Sequence, residues 1–282
     1  MSGSKRTVLI TGCSDGGLGA ALAVAFHEAG LHVYATARNA SKMTHIASLG
    51  VETLTLDVLS DSSIAACVSK LSSLDILVNN AGAMMTMPVS DISIPEAKKL
   101  FDVNVWSYLA VAQAFLPLLL KSSNGMIVNQ TSIASVTSIP FQSAYNASKA
   151  ALAMFSSGMR LELQAFGITV VELKTGIVRS NMIKNNLETK HPSLPTGSIF
   201  EPAKEVVEES LRHDKFTESG MPTQQWAKLV VQDLLKKTPP PIIWRGEQAA
   251  FAWIGSILPF RILDGMLKKL TGLDVVEKII QK

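Results

Sequence analysis

Seven short strand-like runs, separated by helical patterns, constrain the fold of this chain more than any single motif does. The strand-like segments are residues 7–10, 32–37, 52–56, 76–78, 126–129, 168–173 and a short last one at 242–244. Helical patterns occupy 18–29, 41–49, 62–71, 95–120 and 145–166. Most of the strands are apolar throughout and do not alternate. Strands of that kind, each followed by a helix, form a parallel sheet covered on both faces. With 282 residues the chain can make one large domain or two small ones, and no repeat, low-complexity tract or domain boundary interrupts it before residue 180. The expected architecture is a single doubly wound α/β domain over 1–246. A C-terminal helical extension over 247–282 follows it.

Charged residues are 17% of the chain against roughly 25% in an average soluble domain, and hydrophobic residues are 47%. Disorder is therefore excluded, and apolar surface remains for a pocket, an interface or a membrane. A net charge of +3 gives no nucleic-acid footprint. The two cysteines, Cys13 and Cys67, read as free thiols, and the five histidines show no metal-ligand spacing, so no metal is expected. Residues 1–6 are polar and basic and the following apolar run stops at Gly12, so neither a signal peptide nor a spanning helix is expected. The reading is a cytoplasmic protein, with peripheral contact on the cytosolic face of a membrane left open.

The first chemical signal is Thr11-Gly12-Cys13-Ser14-Asp15-Gly16-Gly17-Leu18-Gly19, between a strand and a helix. Glycines there either make a tight structural turn or let the backbone approach a pyrophosphate at a helix N-terminus. The second strand ends not on an acid but on Arg38. An arginine can grip a ribose 2′-phosphate bidentately, which favours NADPH over NADH. An ordinary exposed arginine is the alternative, and Asp15 would oppose the phosphate if its carboxylate turned toward it.

The second signal is stronger. Tyr145 and Lys149, four apart at the start of a helix, share one face, and Ser132 lies thirteen residues before the tyrosine. A tyrosine pKa near 10 is too high for easy proton exchange at neutral pH. Lowering it by about three units requires roughly 4 kcal/mol, which one ammonium about 4 Å away supplies at an effective dielectric near 20.

With the glycine loop and Asn79-Asn80-Ala81-Gly82, this set resembles the short-chain dehydrogenase/reductase superfamily over residues 7 to about 180. The resemblance implies a Rossmann-type fold, an NADP cofactor and a site carried by matched positions. Tyr145 is then the general acid/base, Lys149 its activator and ribose ligand, and Ser132 the hydroxyl that holds the carbonyl. Asn104 matches the asparagine of the proton relay. Gly12, Ser14, Gly17, Leu18 and Gly19 form the phosphate loop. Asp57 and Val58 meet the adenine, Asn80, Ala81 and Gly82 lie by the adenosine ribose, and Gly176, Val178 and Ser180 hold the nicotinamide side.

Two departures are visible. Four residues separate the first and second family glycines where three are usual, and the family's Pro-Gly is Thr175-Gly176. Both look like a fungal branch that includes the NADPH-dependent acyl-dihydroxyacetone-phosphate reductases. The resemblance implies reduction of a ketone or aldehyde on a largely apolar substrate such as a lipid, polyketide, terpenoid or steroid. Alternatives are the reverse oxidation, a redox-neutral epimerisation, and a cofactor-binding regulator without turnover. A homodimer or homotetramer through the two long helices is the family expectation.

Residues 182–220, rich in Asn, Pro and charge, have the composition of a mobile lid. The apolar band from Ala250 to Leu270 is open between packing on the body or a subunit and forming a pocket wall or membrane-surface helix. Met84, Met85 and Met87 are adaptable enough to line the same pocket.

Overall fold

The computed structural model describes residues 5–182, 192–212, 219–259 and 261–281. Seven strands pair in parallel in the order β3-β2-β1-β4-β5-β6-β7. They are β1 (Thr7–Ile10), β2 (His32–Ala37), β3 (Glu52–Thr55), β4 (Ile76–Asn79), β5 (Met126–Gln130), β6 (Thr169–Thr175) and β7 (Ile242–Arg245). β1 lies between β2 and β4, so the winding reverses there and leaves a crevice beyond the strand C-termini, where such sheets bind ligands.

The continuous apolar strands are explained by the two cores they face. On one side α1 (Leu18–Glu28) and a late helix, Thr223–Leu234, bury Leu22, Phe26, Trp226 and Val230 against Val8, Ile10, Ile76 and Val78. On the other side α3 (Asp61–Val68) and α5 (Ser107–Leu119) bury Ile64, Val111 and Phe115 against Leu9, Leu77 and Ile127. Neighbours in one strand thus serve opposite cores, which is why no polar alternation survives. Each fully buried side chain of this size contributes roughly 1.5–3 kcal/mol.

Three local expectations change. The helix expected at 41–49 is a 3-10 turn, Ala40–Met43, followed by the short α2, Thr44–Ser48, started by the Asn39 side chain accepting from the Ser41 amide at 2.9 Å. The helix expected at 95–120 is interrupted. α4 (Ile94–Phe101) runs into a π-helical turn, Asp102–Trp106, before α5 begins. Last, the lid expected at 182–220 contains a helix, α7 (Lys204–Arg212), after the catalytic-side helix α6 (Ser143–Gln164). Its Val207 and Leu211, four apart, are fully buried with Phe141, Leu194, Ala203 and Val276. Composition read as loop missed that amphipathic spacing. The parts of the lid at 183–191 and 213–218 lie outside the described residues.

Beyond the helix Thr223–Leu234, which is α8, the C-terminal extension forms α9 (Ala249–Ser256), α10 (Asp264–Thr271) and α11 (Leu273–Ile280). Its apolar band divides. Ala249, Ala252, Leu267 and Val276 are buried, whereas Phe251, Trp253, Ile254, Ile257, Ile262, Met266 and Leu270 stay exposed. Among the described residues no helix is long and apolar enough to cross a membrane.

Candidate active site

The catalytic and cofactor residues expected from the sequence fall at the C-terminal ends of strands or on the helices facing them. Gly12, Ser14, Gly17, Leu18 and Gly19 link β1 to α1, and Arg38 follows β2. Asp57 and Val58 follow β3, and Asn80, Ala81 and Gly82 follow β4. Ser132 follows β5, while Gly176, Val178 and Ser180 follow β6.

The glycine loop is built around close approaches. Gly12 has φ +74°, and a Cβ on it would stand 2.8 Å from the Cα of Ala81. A Cβ on Gly19 would meet the Gly12 carbonyl oxygen at 2.6 Å. Asn80 ties the loop to β4, because its Nδ2 donates to Thr11 O at 2.7 Å and to Gly12 O at 3.1 Å. Thr11 Oγ1 accepts from the amides of Asn80 and Ala81 at 2.9 and 3.0 Å. The extra residue is accommodated as Gly16 at φ +76°, under Asn181, whose Nδ2 donates to Asp15 O at 3.1 Å.

These residues fit a dinucleotide. The α1 N-cap, Gly17, has no side-chain cap and the first turn has no acid, so its amides are free for a phosphate. The Asp15 carboxylate accepts instead from the His45 amide at 3.0 Å and the Ile46 amide at 3.4 Å, capping α2. Cys13 N donates to Thr36 O at 2.8 Å, which holds the end of β2 beside the loop. Arg38, two residues on, is exposed and makes no ion pair with the described residues. Asp57 receives the Leu59 amide at 3.0 Å at the rim of β3. Gly176 is required by closeness, since a Cβ there would meet Glu247 O at 2.2 Å.

The tetrad is brought together. Tyr145 is buried beside Ser132, whose Oγ accepts from the Ala134 amide at 3.1 Å. Lys149 Nζ donates to Gln130 O at 3.0 Å, and it sits 6.0 Å from the Tyr145 ring centroid and 5.4 Å from that of Tyr108. Asn104 lies in the π-helical turn and is fully buried. Its Oδ1 accepts from Ala83 N at 2.8 Å, and its Nδ2 donates to Ala83 O at 2.9 Å and Ser148 Oγ at 3.0 Å. Ser148 in turn donates to Tyr145 O at 2.7 Å. A π turn of this kind re-aims one side chain without ending the helix.

Sequence reasoning missed Gln130, whose carbonyl anchors both Lys149 and the Tyr108 hydroxyl (3.3 Å), and Ser148, the bridge to Asn104. Gln130 contributes a backbone atom, for which side-chain identity carries no signal. Ser148 stands inside the tyrosine–lysine motif, and that adjacency was the available clue.

The electrostatics differ from the sequence expectation in one respect. Burial pushes the Tyr145 phenol up, opposed by the Ser132 hydrogen bond, instead of the lysine drawing it down. Burial also lowers Lys149 to about 7. Desolvation penalises the charged form of each group.

A pH dependence follows. Below pH 7 folded and unfolded chains both hold the lysine proton; between about 7 and the ordinary 10.5 only the unfolded chain does. Stability of the unliganded protein should therefore rise with pH from about 7 to about 9, by at most about 1.4 kcal/mol per unit, above which the buried Cys13 and Cys67 thiols, held above their ordinary value, oppose it. The raised tyrosines stay protonated there. Urea midpoints at about pH 7 and 8.5 check it, and Lys149→Met should flatten the difference.

A doubly wound sheet with an uncapped glycine loop and a serine beside a buried tyrosine and lysine defines a Rossmann-type dinucleotide-dependent oxidoreductase. The short chain dehydrogenase family model matches residues 6–191, and the chain belongs to that family. It is 56% identical over 281 residues to a short-chain dehydrogenase/reductase of Pestalotiopsis microspora, covering 100% of this chain and 99% of the relative. It is 33% identical to the NADPH-dependent 1-acyldihydroxyacetone phosphate reductase of Schizosaccharomyces pombe, covering 96% and 95%. Among solved structures, a short-chain dehydrogenase from Streptomyces avermitilis superposes with a TM-score of 0.77 at 26% identity, covering 99% of each chain. The protein is an oxidoreductase that uses a nicotinamide dinucleotide.

Proposed function

We propose that the protein reduces a ketone or aldehyde borne on a largely apolar molecule, with NADPH preferred to NADH. The observation that carries this reading is the buried Tyr145, with the Ser132 hydroxyl beside it, set in an apolar wall. Around Tyr145 pack Met85, Leu100 and Ala134, flanked by Ala83, Met84, Ile92, Ile139 and Ala144. Bound NADPH supplies the hydride. Ser132 then orients the carbonyl oxygen, and Tyr145 donates the proton that completes the alcohol. Lys149, lowered to about 7 by burial and anchored on Gln130 O, returns a proton to the tyrosine and regains one from solvent. The Schizosaccharomyces pombe relative supports both halves, since its name specifies NADPH and a substrate with an acyl chain.

NADPH oxidation over a panel of aliphatic, aromatic and acyl-chain carbonyls tests the reaction, and turnover on none of them would refute it. Arg38 tests the cofactor. Arg38→Ala removes charge-assisted hydrogen bonds of about 1.5–3 kcal/mol, so NADPH affinity should fall more than tenfold. NADH affinity should barely change; equal losses would refute the assignment.

The domain division and the associations belong to the same proposal. Residues 1–246 form the catalytic body, and 247–282 extend it over the substrate side. Exposed Trp106 and Phe155, stacked edge-to-face at 5.8 Å on the α5–α6 face, support self-association. The exposed Trp253, Ile257 and Ile262 support contact of the extension with a bilayer from the cytoplasm. Light scattering that reads a 30.3 kDa monomer would exclude the first. Failure to float with anionic vesicles would exclude the second.

A further inference from the structure

β6 carries an ion pair where a central strand would ordinarily be apolar. Glu172 and Lys174 alternate around Leu173, so both side chains leave the sheet on one face. Their side chains are each 6% exposed, with Lys174 Nζ 2.5 Å from Glu172 Oε1. A buried pair of this kind adds little stability over apolar residues of the same size, because two charges must be stripped of water. Its contacts lead to the site. Thr131 Oγ1 donates to Glu172 Oε1 at 2.8 Å, and Lys174 Nζ donates to Ser135 Oγ at 2.9 Å. Ser135 Oγ then donates to the carbonyl oxygen of Ser132 at 2.7 Å. The Trp244 ring of β7 lies 5.5 Å from Lys174 Nζ and closes the far side.

We propose that Glu172 and Lys174 are positioning residues for the proposed reduction, clamping the turn that carries Ser132 from its two flanks. Glu172 holds the residue before Ser132, and Lys174, through Ser135, holds its carbonyl. The serine otherwise sits on a single 3-10 turn, Ile133–Ser135, which offers little rigidity of its own. The pair fixes the angle at which the Ser132 hydroxyl meets the carbonyl, and neither charge touches substrate. This rests on Ser132 being the carbonyl-orienting hydroxyl.

The test compares Ser135→Ala, which breaks one link and leaves the ion pair whole, with the double variant Glu172→Gln/Lys174→Met. Hydrogen exchange of the 131–136 amides, read by mass spectrometry without any substrate, should quicken about tenfold in both. NADPH oxidation with 1-phenyl-1,2-propanedione should show kcat down about tenfold or more, with the NADPH dissociation constant and the urea midpoint held. A role confined to stability would move the midpoint and spare kcat. Each change is repeated with Ser132→Ala. If the clamp acts through Ser132, it should cost nothing further there. Parental exchange and parental kcat in both clamp variants would overturn the proposal while Ser132→Ala is still impaired. A fully active Ser132→Ala would instead overturn the reading of Ser132 itself.

Discussion

Tyr145→Phe should lower turnover by about 10²–10⁴ while NADPH binding stays within a few-fold of the parent. The substitution removes one oxygen and keeps the ring, and the ring is what packs with Met85, Leu100 and Ala134. Lys149 keeps its anchor, because its ammonium donates to Gln130 O and not to the tyrosine. The glycine loop is held from β4 by Asn80 and Thr11 and is untouched. What disappears is the proton donor for the developing alkoxide, together with the partner of the Ser132 hydroxyl. Ser132 can still orient the carbonyl, so a small residual rate is expected. Cofactor titration by fluorescence, paired with turnover on the best carbonyl of the panel, measures both quantities. Near-parental turnover would mean that the proton comes from another group. Loss of NADPH binding would mean that the ring's packing has been damaged.

What could be read in advance was whatever depends on neighbours in the chain. Continuous apolar strands announced a sheet buried on both faces, and the order β3-β2-β1-β4-β5-β6-β7 is how such strands wind. The spacing of Tyr145 and Lys149 sufficed because a helix repeats every 3.6 residues whatever surrounds it. The glycine loop was legible because the +74° and +76° backbone of Gly12 and Gly16 favours glycine, and neither Gly12 nor Gly19 has room for a Cβ.

What could not be read depends on partners far along the chain. Asp15 looked like a threat to a phosphate until the amides of α2, thirty residues away, took its carboxylate. Nothing in the sequence marked out Glu172 and Lys174. Their meaning lies in Thr131 and Ser135, some forty residues earlier, and no local pattern encodes that contact. In the unliganded protein burial pushes the Tyr145 phenol up, opposite to the direction expected from spacing, for a related reason. Spacing predicts that the lysine is near, but only the fold says how completely both groups are removed from water. α7 was hidden by composition: Glu and Lys in the lid suggested solvation, whereas Val207 and Leu211 on one face dock it on Phe141.

Asn104→Ala should be the most destabilising single change in the site. The side chain is fully buried and makes three hydrogen bonds, at 2.8, 2.9 and 3.0 Å. Truncation leaves the amide and carbonyl of the half-buried Ala83 without this partner, each costing about 1–3 kcal/mol where water does not replace it. A summed loss of about 3 kcal/mol or more is expected, seen as a lower urea midpoint. The π-helical turn at Asp102–Trp106 also loses the contact that justifies its geometry, and it is free to relax toward regular helix. Ala83 adjoins Gly82, and Ser148 adjoins Lys149, so relaxation reaches the cofactor side and the catalytic helix together. Turnover at a temperature where the variant is folded should then fall by about tenfold or more. Ser148→Ala provides the scale: it removes one of the three bonds, leaves Ala83 paired, and should cost no more than about 1.5 kcal/mol. If Asn104→Ala unfolds at the parental midpoint with parental turnover, Asn104 is neither a strut nor part of the site.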